Sequence, residues 1–147
     1  MRALHIISRV ILAAVLGIAI RAEAEGPSIE ASISQLPNSR GVVRCALFAS
    51  ERGFRDEPKQ ASAWAIVNIV GNKALCKFVG IKPGVYALSF FHDENNNKQL
   101  DTNWLGMPEE AYGASNNPEP RLGPPRFAPA RFVYRGGHGR LRVKPIE

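Results

Sequence analysis

The segment Val85 to His92 (VYALSFFH) constrains the fold most, because it is apolar on both faces yet only eight residues long. A run of that length is too short for a buried helix, and apolar side chains pointing both ways mark a strand covered on two sides. It predicts the middle of a sheet. The segments around it are of the same kind: Ser28 to Leu36, Gly41 to Ala49, Lys73 to Val79, Arg131 to Arg135 and Arg140 to Ile146 alternate or run apolar between turn residues. Ala63 to Val70, rich in alanine, reads as a strand or a short helix. About seven short strands with turn chemistry between them predict an all-β domain, an antiparallel β-sandwich of immunoglobulin-like or transthyretin-like type. Gly71-Asn72 is expected to close one hairpin. Gly136-Gly137-His138-Gly139 is expected to close another between the last two strands.

The first 24 residues have a different composition. Met1-Arg2, the uncharged eleven-residue run Val10 to Ile20 and the small-residue pattern Ala22-Glu23-Ala24 are the three parts of a secretory signal peptide, with cleavage predicted after Ala24. The apolar run is well short of the roughly 20 residues needed to cross a bilayer, so no membrane span is expected after cleavage. The mature chain would be residues 25–147, one domain, periplasmic or secreted and monomeric. Removing Arg2, Arg9, Arg21 and Glu23 takes 19 basic and 13 acidic residues to 16 and 12, a net charge of +4. That mild, scattered charge, in an exported protein, argues against nucleic acid as a partner and leaves an envelope ligand or protein as the expected one.

Strand phase predicts where the two cysteines point. With Arg44 outward, Val43, Cys45 and Leu47 turn inward; with Lys73 and Lys77 outward, Ala74, Cys76 and Phe78 do the same. Both cysteines therefore face the core, where an oxidising compartment favours an inter-sheet disulfide over two buried thiols.

Residues 93–126 hold six asparagines and five prolines, with no run that reads as a strand. Connections this long are usually functional. Asp93, Asn95, Asn97 and Asp101 place side-chain oxygens at positions 1, 3, 5 and 9 of a loop, with the Gln99 carbonyl at 7 and a further carboxylate expected from Glu109 or Glu110. That spacing suits calcium, which takes six to eight oxygens in adaptable geometry. The alternative is a loop held by Asx turns without an ion. Trp104, Tyr112 and Asn116 are candidate ligand contacts, two rings for stacking on a sugar or peptide and an amide for hydrogen bonding, unless the rings simply pin the loop to the core. A hydrolase built on His92 and Asp93, with Ser115 as nucleophile, is the less favoured reading, since no nucleophile elbow accompanies them. No catalytic residue is assigned.

The run Phe90-Phe91-His92-Asp93-Glu94-Asn95, continued by Leu100-Asp101, Asn103, Leu105-Gly106-Met107-Pro108, Glu110, Tyr112-Gly113 and Ser115-Asn116-Asn117, resembles the signature of a family of small exported bacterial proteins, domain of unknown function 2141. Gly41 to Leu47, Lys82 to Tyr86 and Pro124-Pro125 with Phe127 follow the same pattern. The resemblance implies export and a β-sandwich, and it carries no activity with it. Where the family's loop pattern has glycines, this chain has Asn96 and Lys98.

Overall fold

A computed structural model describes residues 26–54, 57–119 and 123–146; the expected signal peptide lies outside them. The described residues form eight strands: β1 (Ser28–Ile33), β2 (Val42–Phe48), β3 (Ala63–Asn68), β4 (Ala74–Val79), β5 (Gly84–Asp93), β6 (Tyr112–Ala114), β7 (Phe132–Tyr134) and β8 (His138–Val143). Two short helical turns, Pro58–Gln60 and α1 (Phe127–Ala130), complete the elements. The strands make a three-stranded sheet, in order β4-β1-β8, and a five-stranded sheet, in order β3-β2-β5-β6 with β7 also paired to β5. β5 is the central strand that its two apolar faces predict.

Alternation explains how the sheets pack. Val43, Cys45 and Leu47 of β2 and Leu88 and Phe90 of β5 meet Ile29, Ala31 and Ile33 of β1 and Ala74, Cys76 and Phe78 of β4 in one buried core. Cys45 and Cys76 are bonded across it and tie the two sheets together. The inward phase read from Arg44 and Lys77 holds. A second, smaller cluster forms on the opposite face of the larger sheet, where Phe48 and Ala87 are covered by Phe54, Ala61 and Ala130. Its rings meet edge to face, Phe48 to Phe54 at 5.2 Å and Phe54 to Phe127 at 5.6 Å between centroids, an arrangement aromatic quadrupoles favour.

Three expectations need correcting. The last two strands do not form a hairpin: β7 pairs with β5 in one sheet, and β8 pairs with β1 in the other. The glycines between them, Gly136 and Gly137, both at positive φ, carry the chain from sheet to sheet. Of the strand pairings among the described residues, β1–β8 is parallel and the others are antiparallel. Gly71-Asn72 does make a tight turn, closed by paired hydrogen bonds between Val70 and Lys73, but β3 and β4 then part into different sheets. Residues 93–126 also contain a strand that alternation missed, the three-residue β6, too short to show a period.

Candidate functional site

Two features of the larger sheet converge on its outer face: the asparagine-rich loop after β5, and a row of exposed and half-buried side chains.

The loop is organised around Asp93, the last residue of β5, which is fully buried. Its Oδ1 accepts the Asn97 N–H at 3.0 Å and its Oδ2 accepts the Lys98 N–H at 3.0 Å. Oδ2 also receives Nε of Arg44 from the neighbouring strand. Burial alone would raise the Asp93 pKa, but the Arg44 hydrogen bond and charge and the two backbone donors outweigh it and hold the carboxyl below its ordinary range. Glu110 closes the far side, taking the Glu94 N–H at 2.9 Å and the Asp101 N–H at 3.0 Å, one on each carboxylate oxygen. Asn95 and Asn97 donate their amides to the two oxygens of Asp101, at 2.6 and 2.7 Å. Asn103 then caps the next turn by accepting from Leu105 and Met107. Asn96 and Lys98 sit at φ of 60° and 70°, in the left-handed region where glycine is unstrained.

The loop thus brings together Asp93, Asn95, Asn97, Asp101 and Glu110, five of the expected calcium ligands, with Gln99 on the same turn. Their oxygens accept from amides and from Arg44, and among the described residues no three His, Cys, Asp or Glu side chains gather as a metal-binding group. Binding an ion here requires the loop to exchange hydrogen bonds for it.

The neighbouring chemistry is structural as well. His92 is fully buried, and its Nε2–H donates to the Arg40 carbonyl at 2.6 Å. Among the described residues its Nδ1 has no hydrogen-bond partner, and it lies 3.9 Å from Glu94. Glu94 is itself held below the usual carboxylate range, first by a hydrogen bond from Asn38 and then by the Arg40 guanidinium. Ser115 receives the Leu88 N–H and donates to the Ala130 carbonyl, so it serves α1 and not His92. Asn116, an expected ligand contact, donates its amide to the carbonyls of Pro129 and Arg131 at the end of the same helix.

The row of side chains follows from register. Ile66, Arg44, Phe91 and Tyr112 are cross-strand partners on β3, β2, β5 and β6, and all point to the outer face. Trp64 lies one step along, level with Ala46 and Ser89. The smaller aromatic cluster covers one end of this face and the loop walls the other. Between them runs a groove of about 760 Å³, within the roughly 300–1,000 Å³ range of ligand pockets. Trp64, Ile66, Phe91, Met107, Pro108 and Tyr112 supply much of its lining. Trp64 and Ile66 remain 58% and 61% exposed, a large apolar outlay on a sheet face. The Trp64 indole is fixed in place, its Nε1–H donating to the Pro58 carbonyl at 3.0 Å.

Of the expected ligand contacts, Tyr112 lines the groove, whereas Trp104 projects from the loop at 90% exposure and neither pins the core nor reaches the groove. Sequence reasoning missed Trp64, Ile66, Phe91 and Arg44. The signal available was the exposed phase of Ala63 to Asn68, where a tryptophan and an isoleucine alternate with alanines and a valine.

Fold and site together define a two-sheet β-sandwich with a ligand-sized groove on the outer face of its larger sheet. Among the described residues no helix is long and apolar enough to cross a membrane. Residues 31–141 match the family described as "Uncharacterized protein conserved in bacteria" (DUF2141), and the chain belongs to it. No curated protein and no solved structure matches the chain.

Proposed function

We propose that the chain is an exported, non-catalytic binding module of the bacterial envelope, periplasmic or secreted, that holds a ring-bearing ligand in the groove of its larger sheet. The observation that carries this reading is the cross-strand row Ile66, Arg44, Phe91, Tyr112 beside the anchored Trp64. Rings held by a sheet and a hydrogen bond lose little freedom when a flat ligand stacks on them, so binding costs little ordering. The non-catalytic part is supported by the occupations of His92, Asp93 and Ser115, each committed to holding backbone. The test is a screen of monosaccharides, aromatic acids and short peptides by ligand-observed NMR, with the hits titrated calorimetrically into the protein and its Trp64→Ala and Phe91→Ala variants. The reading expects saturable hits weakened about tenfold or more by either substitution, as for loss of a stacking anchor. Hits indifferent to both substitutions would remove the groove from the account.

A second reading adds calcium to the loop. It is favoured by the convergence of Asn95 and Asn97 on Asp101 beside Asp93. Each amide bond surrendered costs about 1 kcal/mol, so the reading expects millimolar affinity, suited to an extracellular ion. Calorimetry with calcium up to about 10 mM tests it: heat lost in Asp101→Asn supports the site, and no heat at that concentration dismisses it.

A further inference from the structure

We propose that the groove selects anions: its ligand carries a carboxylate or similar anionic oxygen group on a flat apolar body, anchored by Arg44 and Lys98. This rests on the groove being the binding site and specifies what it takes. Among its described lining residues the charged ones are Arg44 and Lys98, both cationic; no aspartate or glutamate is in that lining, and Asp93 lies behind Arg44. An apolar cleft lined by one sign of charge concentrates ligands of the other sign.

Arg44 stands in the centre of the row, between Ile66 and Phe91. Its Nε is given to Asp93, and its remaining guanidinium nitrogens have no other hydrogen-bond partner among the described residues. The guanidinium is a rigid planar fork. Holding one edge of it on the buried Asp93 fixes the direction of the other, so a carboxylate arriving in the groove meets donors already oriented. Asp93 offsets the charge of Arg44, and Lys98 supplies the surplus. The backbone of Lys98 is locked by the same carboxylate, its N–H on Asp93 Oδ2 and its φ at 70°, which fixes the point on the groove wall from which the ammonium extends. Trp64, Phe91 and Tyr112 provide flat surfaces for the ligand's body, with the Ser89 side chain on the floor between them. A neutral ligand of the same shape desolvates the free edge of Arg44 without pairing it, which is where discrimination arises.

The probes are 2-naphthoate and 2-naphthamide, near-identical in shape and different in charge, titrated calorimetrically into the protein at low and high salt. The expected result is naphthoate binding about tenfold more tightly at low salt, the scale of one charge-assisted hydrogen bond, with the difference shrinking at high salt. Lys98→Gly removes the ammonium at a backbone position that glycine suits, and should narrow the gap, weakening naphthoate more than naphthamide. Arg44→Gln should narrow it further; if that variant fails to fold, Lys98→Gly and the salt dependence decide. Equal affinities for the two probes, or a preference undiminished both in Lys98→Gly and at high salt, overturn anion selection while leaving the groove standing. Binding of neither probe overturns the groove, and anion selection with it.

Discussion

Asp93 shows how one side chain joins the loop to the sheet. Its carboxylate bonds a guanidinium on β2 and two backbone amides of the loop, so losing its charge and one acceptor oxygen weakens strand and loop together. Asp93→Asn should lower the unfolding free energy by about 3 kcal/mol, the cost of leaving one partner of a buried ion pair alone, as measured by urea denaturation. The same residue predicts a pH dependence. Because the pKa values of Asp93 and Glu94 are lowered on folding, their stabilisation is fully present above the unfolded carboxylate values of about 4 and is lost as pH falls through the folded ones. Stability should therefore decline below about pH 4, with a shallower decline in Asp93→Asn. A steeper decline in the variant would contradict the assignment. Lys98→Gly relieves a left-handed backbone, and a melting temperature raised by a few degrees is expected, in line with roughly 0.5–1 kcal/mol.

At the scale of elements, β5 connects the two halves of the account, giving Leu88 and Phe90 to the core and Ser89, Phe91 and Asp93 to the outer face. Gly41, at the entry to β2, allows the close approach that seats the end of β5: its φ is +63°, and a Cβ there would stand 1.9 Å from the Asp93 carbonyl oxygen. Gly41→Ala is expected to destabilise the fold severely or to displace the loop, which amide shifts of residues 94–101 would report. Most strands were legible as short alternating or apolar runs between turn residues, and the cysteine phases followed from the alternation around them. The mistaken closing hairpin has a physical cause. Gly136 and Gly137 permit a tight reversal and equally a passage between sheets, and what decides is that Gly139, Leu141 and Val143 find β1, a contact more than a hundred residues away in the chain. In the loop, the spacing of Asp93, Asn95, Asn97 and Asp101 did mark a turning backbone. Which donors would fill those oxygens was not legible, since Arg44 arrives from a neighbouring strand and the Asn97 and Lys98 amides reach Asp93 only once the loop has turned.

For the whole molecule, the Cys45–Cys76 bond closes 31 residues of chain between the sheets. Replacing both cysteines by alanine should cost about 3 to 4 kcal/mol by loop-closure entropy, measured against the oxidised protein by denaturant unfolding. The sandwich leaves the outer face of its larger sheet covered at one end, walled by the loop at the other and open between. That open stretch was hidden in the sequence, because whether Trp64, Ile66 and Phe91 face solvent or a covering segment depends on where the loops on either side come to rest. The most direct test of the groove is amide chemical-shift mapping of the isotope-labelled protein titrated with 2-naphthoate. The account predicts saturable shifts centred on Arg44, Trp64, Ile66, Phe91 and Tyr112. Shifts centred instead on the exposed Leu75 and Val79 of the smaller sheet, or shifts that do not saturate, would contradict it.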